Sequence, residues 1–415
     1  MNDSTVLQRA PSAAPLAGIV VLDLTRVLSG PYATMLLGDL GATILKIEDP
    51  AGGDATRHSA PFRGGQSHYF ASINRNKRSV AIDIKVPSGR DALLRLVRHT
   101  DVLIENFRPG TMAKLGLDEG VLRAANPDLI LCSVSGFGQT GPLRDRIAYD
   151  VITQAMSGAL STNGEPDGPP VRLSVPIGDL AGGLMAVIGM LAALVGRGKG
   201  QAARTIDVSL HDALISLLGY MGSLYDVTRR SPARTGSRHQ SIVPYGTFRT
   251  ADGWLAMAIF TTRFWQKFCA AIGRPELAND ERFARTRDRM NNRAELETLV
   301  EGILASETTQ YWERLFHQAD VPASSILTVP QALEHPHTAA RGMFPELNHP
   351  AYGSIRVPGP PLRLGGAQVE APLPPPLLGQ DTEQVLRDIL GSDDAEIASL
   401  QRDGAIPSPA VAAER

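Results

Sequence analysis

The sequence predicts an α/β protein: an open, mainly parallel sheet in a discontinuous large domain, plus a small α+β domain. Three observations carry this expectation. Short runs rich in Val, Ile and Leu alternate with longer helical stretches from Gly18 to about Leu210. Several of those runs are nearly continuous in apolar residues, as parallel strands covered on both faces are. The 40 Gly and 30 Pro among 415 residues imply many tight connections, and strand–helix alternation through short loops is the pattern of an open α/β sheet.

Strands are expected at 18–25 (GIVVLDLT), 43–48 (TILKIE), 101–107 (DVLIENF), 129–134 (LILCSV) and 205–210 (TIDVSL). Helical spacing or length marks 32–40, 89–98 and 180–195 between them. The uncharged run 180–196 holds four glycines in 17 residues. A membrane span needs about 20 predominantly apolar residues, so this run reads as a buried core helix. Residues 229–238 (RRSPARTGSR) form a basic linker. Residues 245–260 then read as two strands around Asp252-Gly253, a hairpin turn signal. Charge-rich helical sequence runs from Arg263 to about Ala319, and 349–364 returns to strand and turn. The prolines of 371–378 (APLPPPLL) fix an extended backbone. The expected division is a disordered tail 1–15, a large domain starting at 16–225, a linker 226–240, a small domain 241–329, a linker and return 330–405, and a tail 406–415.

Charge narrows the function. Forty-one basic against 43 acidic side chains give a net charge of −2, without the clustered Lys/Arg excess that nucleic-acid binding requires. Two cysteines, Cys132 and Cys269, cannot form a disulfide scaffold and fit a reducing, cytoplasmic setting. The first 15 residues lack the apolar core of a signal peptide. A soluble intracellular enzyme is expected, without membrane or nucleic-acid partner.

Gly136-Phe137-Gly138-Gln139-Thr140-Gly141 is a literal G-x-G-x-x-G after a predicted strand. A dinucleotide site needs a helix to open on that loop and an acidic residue about 20 positions on. Pro142 follows instead, which favours a Gly-rich ligand loop or a plain turn over an NAD-dependent oxidoreductase. His335-Pro336-His337 has no third ligand nearby, so no metal is expected.

Asp179 stands out, directly before the uncharged run. Two readings stand. It is an N-cap, satisfying free N–H groups, or it is a nucleophile kept ionised by the helix N-terminus. Gly182 and Gly183 leave the first turn bare for a ligand. Asn74-Arg75-Asn76-Lys77-Arg78 and Glu105-Asn106-Phe107-Arg108-Pro109-Gly110 form two polar clusters. At the carboxyl ends of parallel strands such residues suit phosphates or carboxylates.

Together, Arg26-Val27-Leu28-Ser29-Gly30-Pro31, Gly53-Asp54 with Arg57, Asn74 to Ser79, Glu105-Asn106-Phe107, Tyr149-Asp150, Gly178-Asp179 and Pro376-Leu377-Leu378-Gly379 resemble the family III CoA-transferases, which include the α-methylacyl-CoA racemases. The likeness spans about 16 to 380 and is strongest to the succinate–hydroxymethylglutarate CoA-transferase branch. Leu28, where the formyl-CoA branch has Gln, points away from oxalate or formate. The resemblance implies a Rossmann-like large domain and an interlocked homodimer. It implies no tightly bound cofactor, with coenzyme A thioesters and small carboxylic acids as substrates and succinyl-CoA as donor. It casts Asp179 as nucleophile, passing through an anhydride and an aspartyl-CoA thioester. Asn76, Lys77, Arg78, Asn106, Arg108, Lys114 and Arg57 would hold CoA. Gly136, Phe137, Gly138, Tyr149 and Asp150 would border the site, and His239 and Tyr245 would hold the far carboxylate of a diacid. Racemisation is the alternative, and Tyr149, where the racemase pattern has His, argues against it because a phenol with a pKa of about 10 is a poor acid–base group at neutral pH. A non-catalytic CoA-binding protein is a further alternative, opposed by the intact Asp179.

Overall fold

The computed structural model describes residues 14–200, 204–364, 367–368 and 373–408. Most of both expected tails, and Ala371 and Pro372 of the proline-rich stretch, lie outside the described residues. The chain divides into two compact units. The first comprises residues up to 157, 174–217 and 337 onward; the second comprises Gly158–Leu173 and Leu218–Pro336.

The first unit is built on six parallel strands: β1 Val20–Asp23, β2 Thr43–Glu48, β3 Lys77–Ala81, β4 Val102–Glu105, β5 Ile130–Ser135 and β6 Thr205–Ser209. Their order is β3-β2-β1-β4-β5-β6. All four residues of β1 and of β4 are buried, because helices cover both faces and leave no polar side to alternate with. On one face α1 Ser29–Asp39 and α7 Ile177–Arg197 pack on Val21, Ile44, Ile104 and Val134. On the other, α3 Pro87–Val97 and α5 Glu119–Ala125 pack on Leu22, Leu45, Leu103 and Leu131. Pro87 opens α3, where its missing N–H costs nothing. Asp118 caps α5 by accepting from the Val121 N–H at 3.1 Å. Each fully buried Leu, Ile or Val contributes about 1.5–3 kcal/mol. Between these elements lie α2 His68–Ile73, α4 Thr111–Lys114 and α6 Asp150–Met156, and α8 Leu210–Leu217 follows β6 directly.

Strand β3 was not anticipated. Its first residues, Lys-Arg-Ser, read as a polar loop because their burial depends on charges elsewhere in the fold. The edge it would expose is covered by the returning C-terminal segment. Ser79 N–H donates to Asp381 at 2.9 Å, Asp381 N–H to the Ser79 carbonyl at 2.9 Å, and Ala81 N–H to Thr382 Oγ1 at 2.9 Å.

The second unit contains α9 Tyr220–Thr228, the hairpin β7 Tyr245–Arg249 and β8 Trp254–Ala258, and the helices α10 Thr262–Ala271, α11 Arg293–Leu304 and α12 Thr309–Gln318. Strand β9 Ala323–Ser325 pairs antiparallel with β8. The aromatic core of this unit includes Phe248, Trp265, Phe268, Phe283 and Phe316. The unit differs in extent from the sequence reading, which gave 158–173 to the large domain and made 226–240 a linker. Arg234 within that stretch donates to the carbonyls of Glu165, Pro166 and Gly168 at 3.2, 3.4 and 2.8 Å, and Gly236 N–H donates to the Gly164 carbonyl at 3.0 Å.

Candidate active site

Asp179 is the third residue of α7, not its cap, since the helix begins two residues earlier at Ile177. The capping acceptor is Asp150, brought from the start of α6. Its Oδ1 accepts from Gly178 N–H at 2.8 Å and from Asp179 N–H at 3.4 Å. Its Oδ2 accepts from Gln154 Nε2 at 2.6 Å. Asp150 therefore fixes the backbone that carries Asp179 and places a negative charge beside it. Burial, and then Asp150, push the Asp179 carboxyl up to about 7. Loss of hydration thus opposes the helix N-terminus, which by itself would favour the ionised form. Tyr69 on α2 was missed by the sequence reading. Burial and then the Asp179 carboxylate raise its phenol, which identifies it as a neighbour of the site.

Gly182 and Gly183 do not open a path for ligand. A Cβ on Gly183 would stand 2.7 Å from the Ser29 carbonyl oxygen, and one on Gly182 would stand 2.1 Å from Leu210 Cδ2. Their bareness lets α7 press against α1 and α8.

The Gly136–Gly141 loop opens no helix. Gln139 N–H donates to both Asp207 carboxylate oxygens, at 3.0 and 2.9 Å, so a carboxylate already occupies the place a phosphate would need. This removes the dinucleotide reading. Gly136 fits because a Cβ there would stand 2.3 Å from Ala148 Cβ, and this approach leads the chain into Tyr149 and Asp150. Gly138 turns at φ +85°, a glycine conformation. The Phe137 ring lies 5.9 Å from that of His211, and Tyr149 is 69% exposed.

Several expected CoA ligands are committed to the fold. Lys77 Nζ is fully buried and donates to Asp23 at 3.1 Å, the Pro31 carbonyl at 2.8 Å and Asn74 at 2.8 Å. Burial pushes its ammonium down to about 8, against the pull of Asp23. Asn76 donates to Asp39 at 2.8 Å and accepts from Leu373 N–H at 2.6 Å. Arg57 forks onto Glu48 with two bonds of 2.7 Å and lies over Phe70. Asn106 pairs its amide with the Arg26 backbone, N–H to Oδ1 at 2.8 Å and Nδ2 to carbonyl at 2.7 Å. In the ligand-free chain the hydrogen bonds of these four, expected from the sequence to hold CoA, go to other groups of the protein. Arg78 on β3 is half-buried, with the Asp381 carboxylate in its field. Arg108 and Lys114 are exposed between β4 and the end of α4.

A cleft lies over the carboxyl ends of β3, β2, β1 and β4, spanning the point between β1 and β4 where the strand order reverses. Leu24, Arg26, Phe107 and Thr111 line it, with Glu48, Asp49, Asp83, Ile84 and Lys85 from the strand ends beside it. Open parallel sheets bind ligands at this switch point. Arg26 sits over Phe107 at 5.2 Å, and exposed Lys85 pairs with Asp49 at 3.1 Å. The sequence reading named neither Arg26 nor Lys85 as a candidate ligand group. Arg26 lay within a quoted motif, whereas Lys85 follows the unrecognised strand β3.

His239 and Tyr245 lie in the second unit. His239 is held between Tyr220 and Tyr245, at ring distances of 5.7 and 4.8 Å. Its Nδ1 accepts from Ser241 N–H at 3.1 Å, which leaves Nε2 to carry the proton of the neutral ring. Both cysteines are free and buried, and burial raises both thiols.

A six-stranded parallel sheet with a cleft over its strand ends that mixes Arg26 and Lys85 with Glu48, Asp49 and Asp83, and a carboxylate in the first turn of a helix, is the arrangement of an α/β enzyme. The comparisons make this specific. The model of CoA-transferase family III matches residues 16–382, and the chain belongs to that family and is a CoA-transferase. It is 38% identical over 396 residues, 95% of this chain and 91% of the relative, to succinyl-CoA:glutarate CoA-transferase of Mus musculus. It is 40% identical over 358 residues, 86% of this chain and 91% of the relative, to acetyl-CoA:oxalate CoA-transferase of Acetobacter aceti. The crystal structure of a CAIB/BAIF family protein from Brucella suis superposes with a TM-score of 0.80 at 35% identity, covering 91% of this chain and 99% of that one.

Proposed function

We propose that this enzyme moves CoA from succinyl-CoA to a dicarboxylic acid, with Asp179 as nucleophile. The observation that carries the reading is the half-buried Asp179 carboxylate in the first turn of α7, its backbone held by Asp150. The ionised carboxylate attacks the thioester carbonyl, forming an acyl–aspartyl anhydride and releasing CoA thiolate. The thiolate attacks the aspartyl carbonyl, giving an aspartyl-CoA thioester and freeing succinate. The acceptor carboxylate then attacks that thioester, and the released thiolate takes the acceptor's acyl group and restores Asp179. Covalent relay of this kind splits one exchange into easier steps and requires exclusion of water. A carboxyl near 7 is still ionised in about half the molecules at neutral pH, and its raised basicity strengthens it as a nucleophile.

CoA itself is assigned to the switch-point cleft, with Arg26 and Lys85 in its lining and exposed Arg108 and Lys114 outside it within the 106–114 stretch for its phosphates. The relatives named for glutarate support a diacid acceptor. The relative named for oxalate keeps the smallest diacid in the panel despite Leu28.

The test is incubation with succinyl-CoA and glutarate, oxalate, mesaconate or a monocarboxylate, with new acyl-CoA read by mass spectrometry. Borohydride added during turnover should reduce the aspartyl thioester and leave a homoserine-type mass change at Asp179. Full transfer by Asp179→Ala would sink the nucleophile, and α-proton exchange without any acceptor would turn the reading to racemisation.

The homodimer is proposed on a separate observation. Leu184, Ile188 and Val195 on α7 are 44, 59 and 60% exposed, and Ile215 and Leu217 on α8 are 45 and 51% exposed. An apolar face of this kind marks an association surface. Light scattering after size exclusion should give twice the chain mass, and a monomer mass would refute it.

A further inference from the structure

Five residues, 24–28, carry the chain from β1 into α1, and they join the switch-point cleft to the region of Asp179. Leu24 and Arg26 line the cleft, while the Ser29 carbonyl faces Gly183 in α7. In the middle, Val27 adopts φ +68° and is 38% exposed. A β-branched residue in the left-handed region is a genuine outlier, and it persists only where its surroundings hold it.

The surroundings are specific. Asp54 Oδ1 accepts from Val27 N–H at 3.2 Å. Lys46 Nζ donates to Asp54 Oδ2 at 3.0 Å and to the Thr25 carbonyl at 2.9 Å. The Asp54 and Lys46 side chains are both fully buried. Asp54 is in turn fixed by Thr56, whose N–H and Oγ1 donate to it at 3.0 and 2.9 Å, and by its own N–H, which donates to Glu48 at 3.0 Å. Asn106 clamps the next peptide groups, those of Arg26. A buried ion pair is weak evidence for stability in itself, because desolvation offsets the attraction. Here both members spend hydrogen bonds on one loop, at its one strained residue.

We propose that Asp54 is a positioning residue: with Lys46 it holds the 25–29 loop in the left-handed turn at Val27, so that the CoA-binding surface is formed before ligand arrives. The proposal rests on the assignment of CoA to the switch-point cleft. Neither side chain touches substrate. Both act through the backbone of Thr25 and Val27.

The experiment is a double-mutant cycle with KM for acyl-CoA and kcat measured separately. Asp54→Asn should raise KM at least about fivefold, ~1 kcal/mol at about 1.4 kcal/mol per decade, with a smaller change in kcat. In the Val27→Gly background the same substitution should raise KM less than about twofold, because glycine holds a positive φ unaided. An equal KM increase in both backgrounds overturns the proposal. If Asp54→Asn does not fold, melting of ligand-free Val27→Gly and Val27→Ala decides. The glycine variant should melt higher, against the usual order, and a higher-melting alanine variant overturns the strained turn. The combined Arg26→Ala and Lys85→Ala variant tests the cleft assignment separately. Unchanged KM there removes the CoA site while the melting comparison still judges the turn.

Discussion

Replacing Asp179 with Asn should abolish CoA transfer and, above neutral pH, make the protein more stable. The carboxyl is raised from 3.8 to about 7 by burial and then by Asp150. The folded chain thus keeps a proton to near pH 7 that the unfolded chain loses near pH 4. Stability of the wild type should fall as pH rises through that window and level off above it. At about 1.4 kcal/mol per pH unit the full penalty is ~4 kcal/mol. Asp179 is only half-buried, so solvent screening reduces the expectation to about 2 kcal/mol, a few degrees in melting temperature. The amide of Asp179→Asn carries no such penalty. Melting curves of the two proteins should nearly coincide at pH 4 and separate progressively to pH 8, with the variant higher. A variant no more stable at pH 8, or offset equally at both pH values, would refute the account of a strained, desolvated carboxylate. The combination of lost turnover and gained stability is the mark of a site whose ionised group is held against its preference.

Other outcomes follow from the same structure. The kcat/KM of the wild type should rise through about pH 7 as Asp179 ionises. Asp150→Asn should move that rise to lower pH by removing a like charge, while preserving an acceptor for Gly178 N–H; an unmoved profile would exclude the coupling. Lys77→Ala should cost about 2–3 kcal/mol in chemical denaturation, because buried Asp23 loses a charged hydrogen-bond donor and keeps only Lys46, Thr25 and Thr34 to offset its charge. A raised KM at unchanged stability would restore Lys77 as a CoA ligand. Gly183→Ala should cost about 1–3 kcal/mol, because the Ser29 carbonyl 2.7 Å from the new Cβ must move and α1 with it. An unchanged denaturation midpoint would show that the helices separate freely.

The alternation of apolar runs and helical stretches was enough to predict the parallel sheet, because strands covered on both faces must be apolar throughout and show it locally. Strand β2 falls at 43–48 as expected, and the hairpin turns at Asp252-Gly253 between β7 and β8. Asp179 stood out for a similar local reason, since one acid before a long uncharged run admits few explanations. What Lys77, Asn76, Asn106 and Arg57 do was not legible. Their partners Asp23, Asp39, Arg26 and Glu48 lie 54, 37, 80 and 9 residues away in sequence, and a polar residue next to a strand looks the same whether it faces ligand or a buried charge. The cap of α7 shows the point most plainly. Sequence alone offered Asp179, whereas the folded chain brings Asp150 to the helix end from 28 residues upstream of Gly178. Local pattern thus determined where strands and helices form, because periodic burial is written along the chain. Which polar groups stay free to do chemistry was decided only by tertiary structure, because each buried charge must find a partner wherever the fold supplies one.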